Sequence, residues 1–334
     1  MKQEQILELK KPIKNQTANI AVLGAGGIGM AAAKMIAGKK EMKLVAIADK
    51  GGYLVDSEGI DPRRLLDKKP GDVGEKTDDA IGAMIRNSDA FDGIFIALPN
   101  LTNEFIPEVV SRFAGHGYNG VMVDALKRSK AVEMIFGLDE IIKDAGITYI
   151  TGAGATPGLL TCAAALAANS FMEVTGVDIN FGVGVANWES YRATIREDIA
   201  HLEGFNLKKA AEMTCADIKE ELDNRKGILH LHNMEHADDV ILERAGIVSR
   251  EKVKVGGVVD TRNPGKPIST TMTLTGRTFD GAVSSHRFIL GDETTMAANV
   301  VGPALGWMKA GLEFHSRGIY GVFGSAEIMP RFVQ

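Results

Sequence analysis

Residues 19–38 read NIAVLGAGGIGMAAAKMIAG, and this stretch decides the fold. An apolar run of strand character leads into a glycine-rich turn, and an alanine-rich helical segment follows directly. In that context the pattern G-x-G-x-x-G predicts a dinucleotide-binding turn, because glycine lets the backbone approach a pyrophosphate at the start of the helix. A glycine-rich turn without a ligand is the structural alternative. The predicted cofactor-binding residues of this motif are Gly24, Ala25, Gly26, Gly27, Ile28 and Gly29.

Two further strand ends carry predicted cofactor contacts. Asp49 ends the next apolar strand, MKLVAIAD, at the spacing where a carboxylate binds the adenosine ribose. This favours NAD, but Lys50 follows directly and is able to pair with a 2′-phosphate, so the choice between NAD and NADP stays open. The third strand ends in Leu98, Pro99 and Asn100, which we expect to border the nicotinamide half of the cofactor. A proline-marked strand end without a ligand is the alternative.

Strands and helices alternate as far as Gly158, and the alternation then stops. The alternating part predicts a doubly wound, parallel, Rossmann-type α/β sheet. The remainder predicts a second α+β domain with an antiparallel sheet, including a hairpin at Asp280-Gly281 and a late helix kinked at Pro303. The predicted organisation is an N-terminal extension (1–18), a dinucleotide-binding domain (19–160), a substrate and dimerisation domain (161–292) and a C-terminal helix and tail (293–334) expected to return to the first domain.

Composition narrows the classes of partner. The 334 residues carry a formal net charge of −5, so there is no excess of basic residues for nucleic acid or a membrane surface. The beginning of the chain lacks the apolar core of a signal peptide, and no stretch is apolar enough to span a bilayer, which predicts a cytoplasmic protein. The two cysteines, Cys162 and Cys215, are widely spaced and predict neither a disulfide nor a metal site.

A lysine follows the fourth strand, VMVD. Lys127 lies three residues past Asp124, at the carboxyl edge of the sheet where ligands bind in such folds. It is able to anchor a carboxylate, or to attack a carbonyl as the neutral amine if burial lowers its pKa from about 10.4. A solvated charge is the structural alternative. In the glycine loop after the fifth strand, Gly154 and Thr156 are predicted to contact substrate, the alternative being a simple turn between domains.

Several longer segments resemble one enzyme family. They are ALPNLTNEF (97–105), VDALKR (123–128), GATPGLL (154–160), FGVGVANWESYRATIREDIAH (181–201), MEHADD (234–239) and GGVVDTRNP (256–264). In these strings the chain resembles the BioU-type (S)-8-amino-7-oxononanoate carboxylating dehydrogenases of biotin biosynthesis. The resemblance extends over nearly the whole sequence from about Asn19.

The resemblance implies a reaction in which each protein molecule acts once. Lys127 condenses with the ketone of 8-amino-7-oxononanoate, and NAD(P)H reduces the Schiff base. The substrate amine is carboxylated with CO2 or bicarbonate, and re-oxidation and hydrolysis then release carboxylated 7,8-diaminononanoate. The lysine nitrogen leaves with the product, so Lys127 becomes allysine. This chemistry requires no metal, and we expect a homo-oligomer, most simply a dimer.

The remaining site residues are predicted from their chemistry. His236 is the candidate for proton transfer, because histidine titrates closest to neutral pH; a surface histidine in an acidic run is the alternative. Arg192, Arg196 and Arg262 are candidates to bind the substrate carboxylate, and pairing with neighbouring acidic residues is their alternative role. The spacing of the nearby histidines is too weak a pattern to predict a metal site.

Two other functions fit the sequence. The first is a conventional imine reductase or amino-acid dehydrogenase with many turnovers, because the GATPG loop and the two-domain plan also resemble saccharopine-dehydrogenase-like enzymes. The second is a regulatory protein that senses the nicotinamide pool without chemistry. An unchanged Lys127 after repeated turnover would favour the first.

Overall fold

The computed structural model describes residues 17–65, 73–100, 102–291 and 295–334. Most of the predicted N-terminal extension lies outside the described residues. The strands are β1 (Ala18–Leu23), β2 (Met42–Asp49), β3 (Gly52–Val55), β4 (Glu75–Lys76), β5 (Gly93–Ile96), β6 (Val121–Asp124), β7 (Thr148–Thr151), β8 (Glu173–Gly184), β9 (Ile228–Leu231), β10 (Val253–Asp260), β11 (Thr271–Arg277), β12 (Val283–Ile289) and β13 (Gly321–Gly324).

The α-helices surround two separate sheets. They are α1 (Gly27–Ala37), α2 (Ala80–Arg86), α3 (Phe105–Gly115), α4 (Ser129–Phe136), α5 (Asp139–Asp144), α6 (Leu159–Ala168), α7 (Arg192–Ile199), α8 (Leu207–Glu212), α9 (Cys215–Asn224), α10 (Asp238–Arg244) and α11 (Met296–His315). In the described part of the chain, no helix is both long and apolar enough to cross a membrane.

The first sheet has the strand order β13-β7-β6-β5-β1-β2-β3-β4. Its strands from β13 to β2 pair in parallel, and β3 and β4 extend it in antiparallel fashion. Parallel strands covered by helices on both faces are buried on both faces, and β5 and β6 are accordingly buried along their whole length, with Asp124 at the end of β6 as a polar exception. The predicted doubly wound Rossmann-type sheet is confirmed.

The C-terminal segment packs on this first sheet. Helix α11 contacts α1, β6 and β7, and Pro303 lies inside the helix. Trp307 is fully buried, and its indole Nε1 donates a hydrogen bond to the Ile328 carbonyl at 2.7 Å. Strand β13 then joins the sheet beside β7. This final strand was not predicted, because four residues, two of them glycine, carry too little hydrophobic pattern.

The second sheet has the order β12-β11-β8-β10-β9 and is mixed rather than purely antiparallel. Strands β8 and β10 pair in parallel, because α7, α8, α9 and β9 form a long crossover between them. The other pairs are antiparallel, and the β11–β12 turn contains Asp280-Gly281 as predicted. Strand β9 lies in the region expected to be mostly helical; its short sequence, ILHL, gave no period that predicts a strand.

Candidate active site

A cavity of about 500 Å³ lies where the carboxyl ends of the first sheet's strands face the second sheet. Carboxyl edges of parallel sheets are the usual ligand sites of such folds. From the first half it is lined by Ile28, Ile96, Ala97, Asn100, residues 125–127 and residues 154–156. From the second half and α11 it is lined by residues 181–187, Tyr191, Thr194, Glu197, Asp198, Met234, His236, Pro264, Lys266, Thr270, Leu290, Thr295, Ala297, Asn299 and Val300.

The glycine loop has the backbone that the motif requires. Gly24 has a φ of +103°, and a Cβ added there would lie 2.4 Å from the Ala97 carbonyl oxygen. A Cβ on Gly29 would lie 1.8 Å from the Gly24 carbonyl oxygen. A Cβ on Gly26 would meet no described atom within 4 Å, so this N-cap of α1 presents open backbone. Such a helix start fits the pyrophosphate of a dinucleotide.

Two polar side chains near this loop have buried atoms without a hydrogen-bond partner among the described residues. They are Oδ2 of Asp49, at the end of β2, and both amide atoms of Asn100. Buried polar atoms are normally hydrogen-bonded. The carboxylate therefore fits ribose hydroxyls, and the amide fits a polar ligand group in the cavity. Among the predicted residues of this third strand end, Asn100 lines the cavity, whereas Leu98 and Pro99 do not.

Tyr191 connects the second half of the molecule to the glycine loop. Its ring atom Cε1 lies 2.8 Å from the position of a Cβ added to Gly27, so an alanine there would require the ring to move. Because Tyr191 also lines the cavity, its side chain borders both the glycine loop and the cavity.

Lys127 lines the cavity and is paired with two carboxylates of α7. Its Nζ lies 2.9 Å from Oδ1 of Asp198 and 3.4 Å from Oε2 of Glu197. Burial by itself lowers the pKa of Lys127, as the sequence analysis considered. The two negative charges outweigh that effect and raise the pKa well above its ordinary value. The resting side chain is therefore an ammonium ion, and a reaction as an amine needs a proton acceptor.

Asp124 fixes the backbone that carries Lys127. This fully buried carboxylate accepts hydrogen bonds from the backbone N–H of Leu126 at 2.9 Å and of Gly152 at 2.8 Å. It also accepts a hydrogen bond from the Tyr149 hydroxyl at 2.7 Å. Burial raises the pKa of Asp124, although these hydrogen bonds act against that shift. One side chain thereby holds the lysine turn and the second glycine loop together.

His236 is buried in the cavity wall rather than exposed in an acidic run. Its Nδ1 is 2.6 Å from Oδ2 of Asp238, and the same oxygen accepts a hydrogen bond from the Thr156 hydroxyl at 2.7 Å. Oδ1 of Asp238 accepts a hydrogen bond from the Thr161 hydroxyl at 2.5 Å. The bond to Asp238 leaves Nε2 as the ring nitrogen for the cavity. The Ala237 N–H donates to the Lys127 carbonyl at 2.8 Å, so the histidine segment is joined to the lysine turn.

The arginines predicted to bind substrate take other positions, and no described side chain lining the cavity is an arginine. Arg196 donates to the Met213 carbonyl at 2.7 Å, and Arg262 pairs with Asp223 at 3.2 Å. Arg192 is exposed at the start of α7. The helical period explains the difference on α7, because residues three and four apart share a face. The residues that line the cavity from α7 have this spacing: they are Thr194, Glu197 and Asp198, and the preceding Tyr191 lines it with them.

Glu197 and Asp198 were therefore missed as site residues. In the sequence these acidic residues stand out only as partners for the neighbouring arginines. Their spacing from Thr194 is three and four residues, which would have placed all of them on one helical face.

Comparison with known proteins gives one relative over nearly the full length. The (S)-8-amino-7-oxononanoate synthase BioU of Haloferax mediterranei is 43% identical over 349 aligned positions, covering 94% of this chain and 99% of the relative. A family model of Glutamate/Leucine/Phenylalanine/Valine dehydrogenase matches residues 3–88.

Two solved structures share the fold at low identity. An engineered D-amino acid dehydrogenase bound to NADP+ has a TM-score of 0.59 at 18% identity, with 94% of this chain and 95% of that chain covered. The DAP dehydrogenase of C. glutamicum in complex with DAP has a TM-score of 0.58 at 18% identity, with the same coverage. The two-domain dehydrogenase fold is thus shared.

Proposed function

The chain belongs to the BioU family, and from this premise we propose that it is a single-turnover enzyme of biotin biosynthesis that donates the nitrogen of Lys127 to 8-amino-7-oxononanoate. The family supports the role in biotin biosynthesis, and the dehydrogenase fold supports an NAD(P)-dependent oxidoreductase. The alternative is a conventional imine reductase with many turnovers.

The observation that carries the proposal is the position of Lys127. Lys127 lines the cavity at the carboxyl edge of the first sheet and lies beside two carboxylates. This position fits a lysine that acts as a nucleophile better than a lysine that is only a solvated charge. The loop of Gly24, Gly26 and Gly29, together with Asp49, would hold the cofactor. When bound, the nicotinamide would supply a hydride to a carbon of the reacting centre and later accept one.

Imine formation begins when the Lys127 ammonium loses a proton. Asp198 or Glu197 takes that proton, and the neutral amine attacks the substrate ketone carbon. The carbonyl oxygen leaves as water after protonation, for which Nε2 of His236 is our proposed acid. Asp238 positions the ring by holding Nδ1.

The lysine then passes through two further states. Reduction of the imine gives a secondary amine that joins the Lys127 Cε to the substrate carbon, and the substrate's own amine combines with CO2 as a carbamate. Loss of a hydride from Cε forms a new imine on the lysine side, which water hydrolyses. The nitrogen stays on the product, and Cε keeps the oxygen of water as an aldehyde. One hydride is added to the joined lysine and substrate in the reduction, and one is removed from Cε afterwards, so no external oxidant is needed.

The test is intact and peptide mass spectrometry after incubation with 8-amino-7-oxononanoate, bicarbonate and NAD(P)H. We expect Lys127 to become about one dalton lighter, as an amine is replaced by an aldehyde. Many product molecules per chain with an unchanged Lys127 would instead favour the conventional reductase. The absence of any product would exclude 8-amino-7-oxononanoate as the substrate.

A further inference from the structure

The cavity carries a second lysine that the proposed reaction has not used. Lys266 lines the cavity, and its Nζ donates a hydrogen bond to the carbonyl of Gly291. It lies in a segment pressed onto the end of β8: a Cβ added to Gly184 would lie 2.2 Å from the Gly265 carbonyl oxygen. A Cβ on Gly182 would lie 1.7 Å from the Ile268 carbonyl oxygen. The glycines of β8 thus allow this segment to reach the cavity.

The two lysines are anchored at opposite edges of the second sheet. The Lys127 carbonyl binds the N–H of Ala237, in the segment that follows edge strand β9. The Lys266 ammonium binds Gly291, which follows edge strand β12. With about 4.8 Å between neighbouring strands, these edges are roughly 19 Å apart. Both lysine side chains line the cavity.

Part of the cavity lining is apolar. Phe181, Val183 and Val185 line it from the end of β8, and Met234 and Leu290 follow the two edge strands. An aliphatic chain buried against such a wall is stabilised by removal of its surface from water. A ligand with a carbonyl, an aliphatic chain and an anionic group matches a lining that combines one lysine nucleophile, apolar side chains and a second lysine.

We propose that Lys266 binds the carboxylate of the substrate and so determines specificity for an ω-carboxylated amino ketone. This inference rests on the function proposed above, in which Lys127 takes the ketone. It assigns to Lys266 the role that the sequence analysis gave to Arg192, Arg196 and Arg262. A cationic hydrogen-bond donor opposite the nucleophile fixes which carbonyl of a long substrate reaches Lys127.

The experiment compares 8-amino-7-oxononanoate with its methyl ester, using the rate of Lys127 conversion and direct calorimetric titration with cofactor present. In Lys266→Met we expect the affinity for the acid to fall about 10- to 100-fold, as for loss of a charged hydrogen bond, with little change for the ester. Lys266→Arg should keep the preference for the acid. The exposed Lys254 provides a control, Lys254→Met, that should behave as wild type.

Two results would overturn the assignment: an unchanged preference for the acid in Lys266→Met, or an equal loss for acid and ester, which would indicate a structural role. Failure of the proposed reaction has a different signature, because wild type would then leave Lys127 unmodified with both compounds. The titrations would still report whether Lys266 distinguishes acid from ester.

Discussion

Nζ of Lys127 lies 2.9 Å from Oδ1 of Asp198, and both side chains are largely enclosed, with 22% and 6% of their surfaces exposed. The ion pair holds the lysine as an ammonium ion, which is not a nucleophile. It also places a proton acceptor beside the nitrogen that must lose a proton. Resting stability and reactivity therefore depend on the same two residues and on Glu197.

Removal of the Asp198 charge should shift the pH dependence of Lys127 conversion. In wild type we expect the rate still to be rising at pH 10, because the raised pKa of Lys127 keeps the amine protonated up to that pH. We expect Asp198→Asn to lower that pKa and to move the rising limb to lower pH by about one to two units, with a reduced maximum because a proton acceptor is lost. The measurement is the single-turnover rate from pH 6 to 10, with exposed Glu203→Gln as the control. An unshifted limb would contradict the electrostatic role of Asp198.

Loss of the lysine charge should destabilise the protein most at alkaline pH. Because the folded-state pKa is raised, the ion pair contributes fully below the ordinary lysine value of about 10.4 and is lost only as pH rises through the raised value. Lys127→Met leaves Glu197 and Asp198 without their cation, which should cost about 1–3 kcal/mol at pH 8. At pH 4 the loss should be smaller, since carboxyl groups of ordinary pKa, about 3.9 to 4.3, are largely or partly protonated there.

Thermal unfolding of Lys127→Met at the two pH values checks this expectation. Lys130→Met, at an exposed lysine, is the matched control. Equal losses at both pH values would show that packing, rather than charge, accounts for the effect.

Substitutions of His236 and of its partner Asp238 should slow the conversion of Lys127 to different extents. His236→Gln removes the proposed proton donor, and we expect single-turnover conversion to slow by about 10²- to 10⁴-fold. Asp238→Asn keeps the histidine but weakens its orientation, so a smaller loss is expected. Rapid-quench mass spectrometry measures both rates, and exposed His232→Gln serves as the control. Full activity in His236→Gln would assign the proton transfer to another group.

Two glycines of the cofactor loop should respond differently to the same substitution. At Gly26 an added methyl group has open space, so Gly26→Ala should fold with an unchanged Tm but bind NAD(P)H at least about tenfold more weakly, because the methyl group occupies the approach to the pyrophosphate. At Gly29 the methyl group would overlap the Gly24 carbonyl, so Gly29→Ala should lower the Tm itself. Cofactor titration and thermal unfolding separate the two effects. Normal cofactor binding by Gly26→Ala would contradict the assignment of this loop.

The first sheet could be predicted because its parallel strands are mainly apolar runs, most of which are followed by a segment of helical period. The motif at Gly24 was specific for the same reason, since a strand precedes it and a helix follows. Strands β9 and β13 were not predictable, because ILHL lies within a mostly polar region of helical character and two of the four residues of GVFG are glycine. Their pairing depends on long-range contacts with β10 and β7.

The site was only partly predictable. Lys127 and His236 stood out by chemical type, and the structure brings their segments together through the Ala237–Lys127 hydrogen bond. The contributions of Asp198 and Lys266 depend on which face of a helix and which edge of a sheet reach the cavity. Nothing in the pattern around Arg262 indicated that its side chain turns toward Asp223 instead.

The most direct test of the central claim follows the nitrogen atom. Protein grown with lysine carrying a heavy nitrogen isotope at the ε position is mixed with unlabelled 8-amino-7-oxononanoate, bicarbonate and NAD(P)H, and the product is analysed by mass spectrometry. We predict one heavy nitrogen in each product molecule, one product molecule per chain, and allysine at position 127. A product with only light nitrogen, or many products per chain with Lys127 intact, would contradict the account.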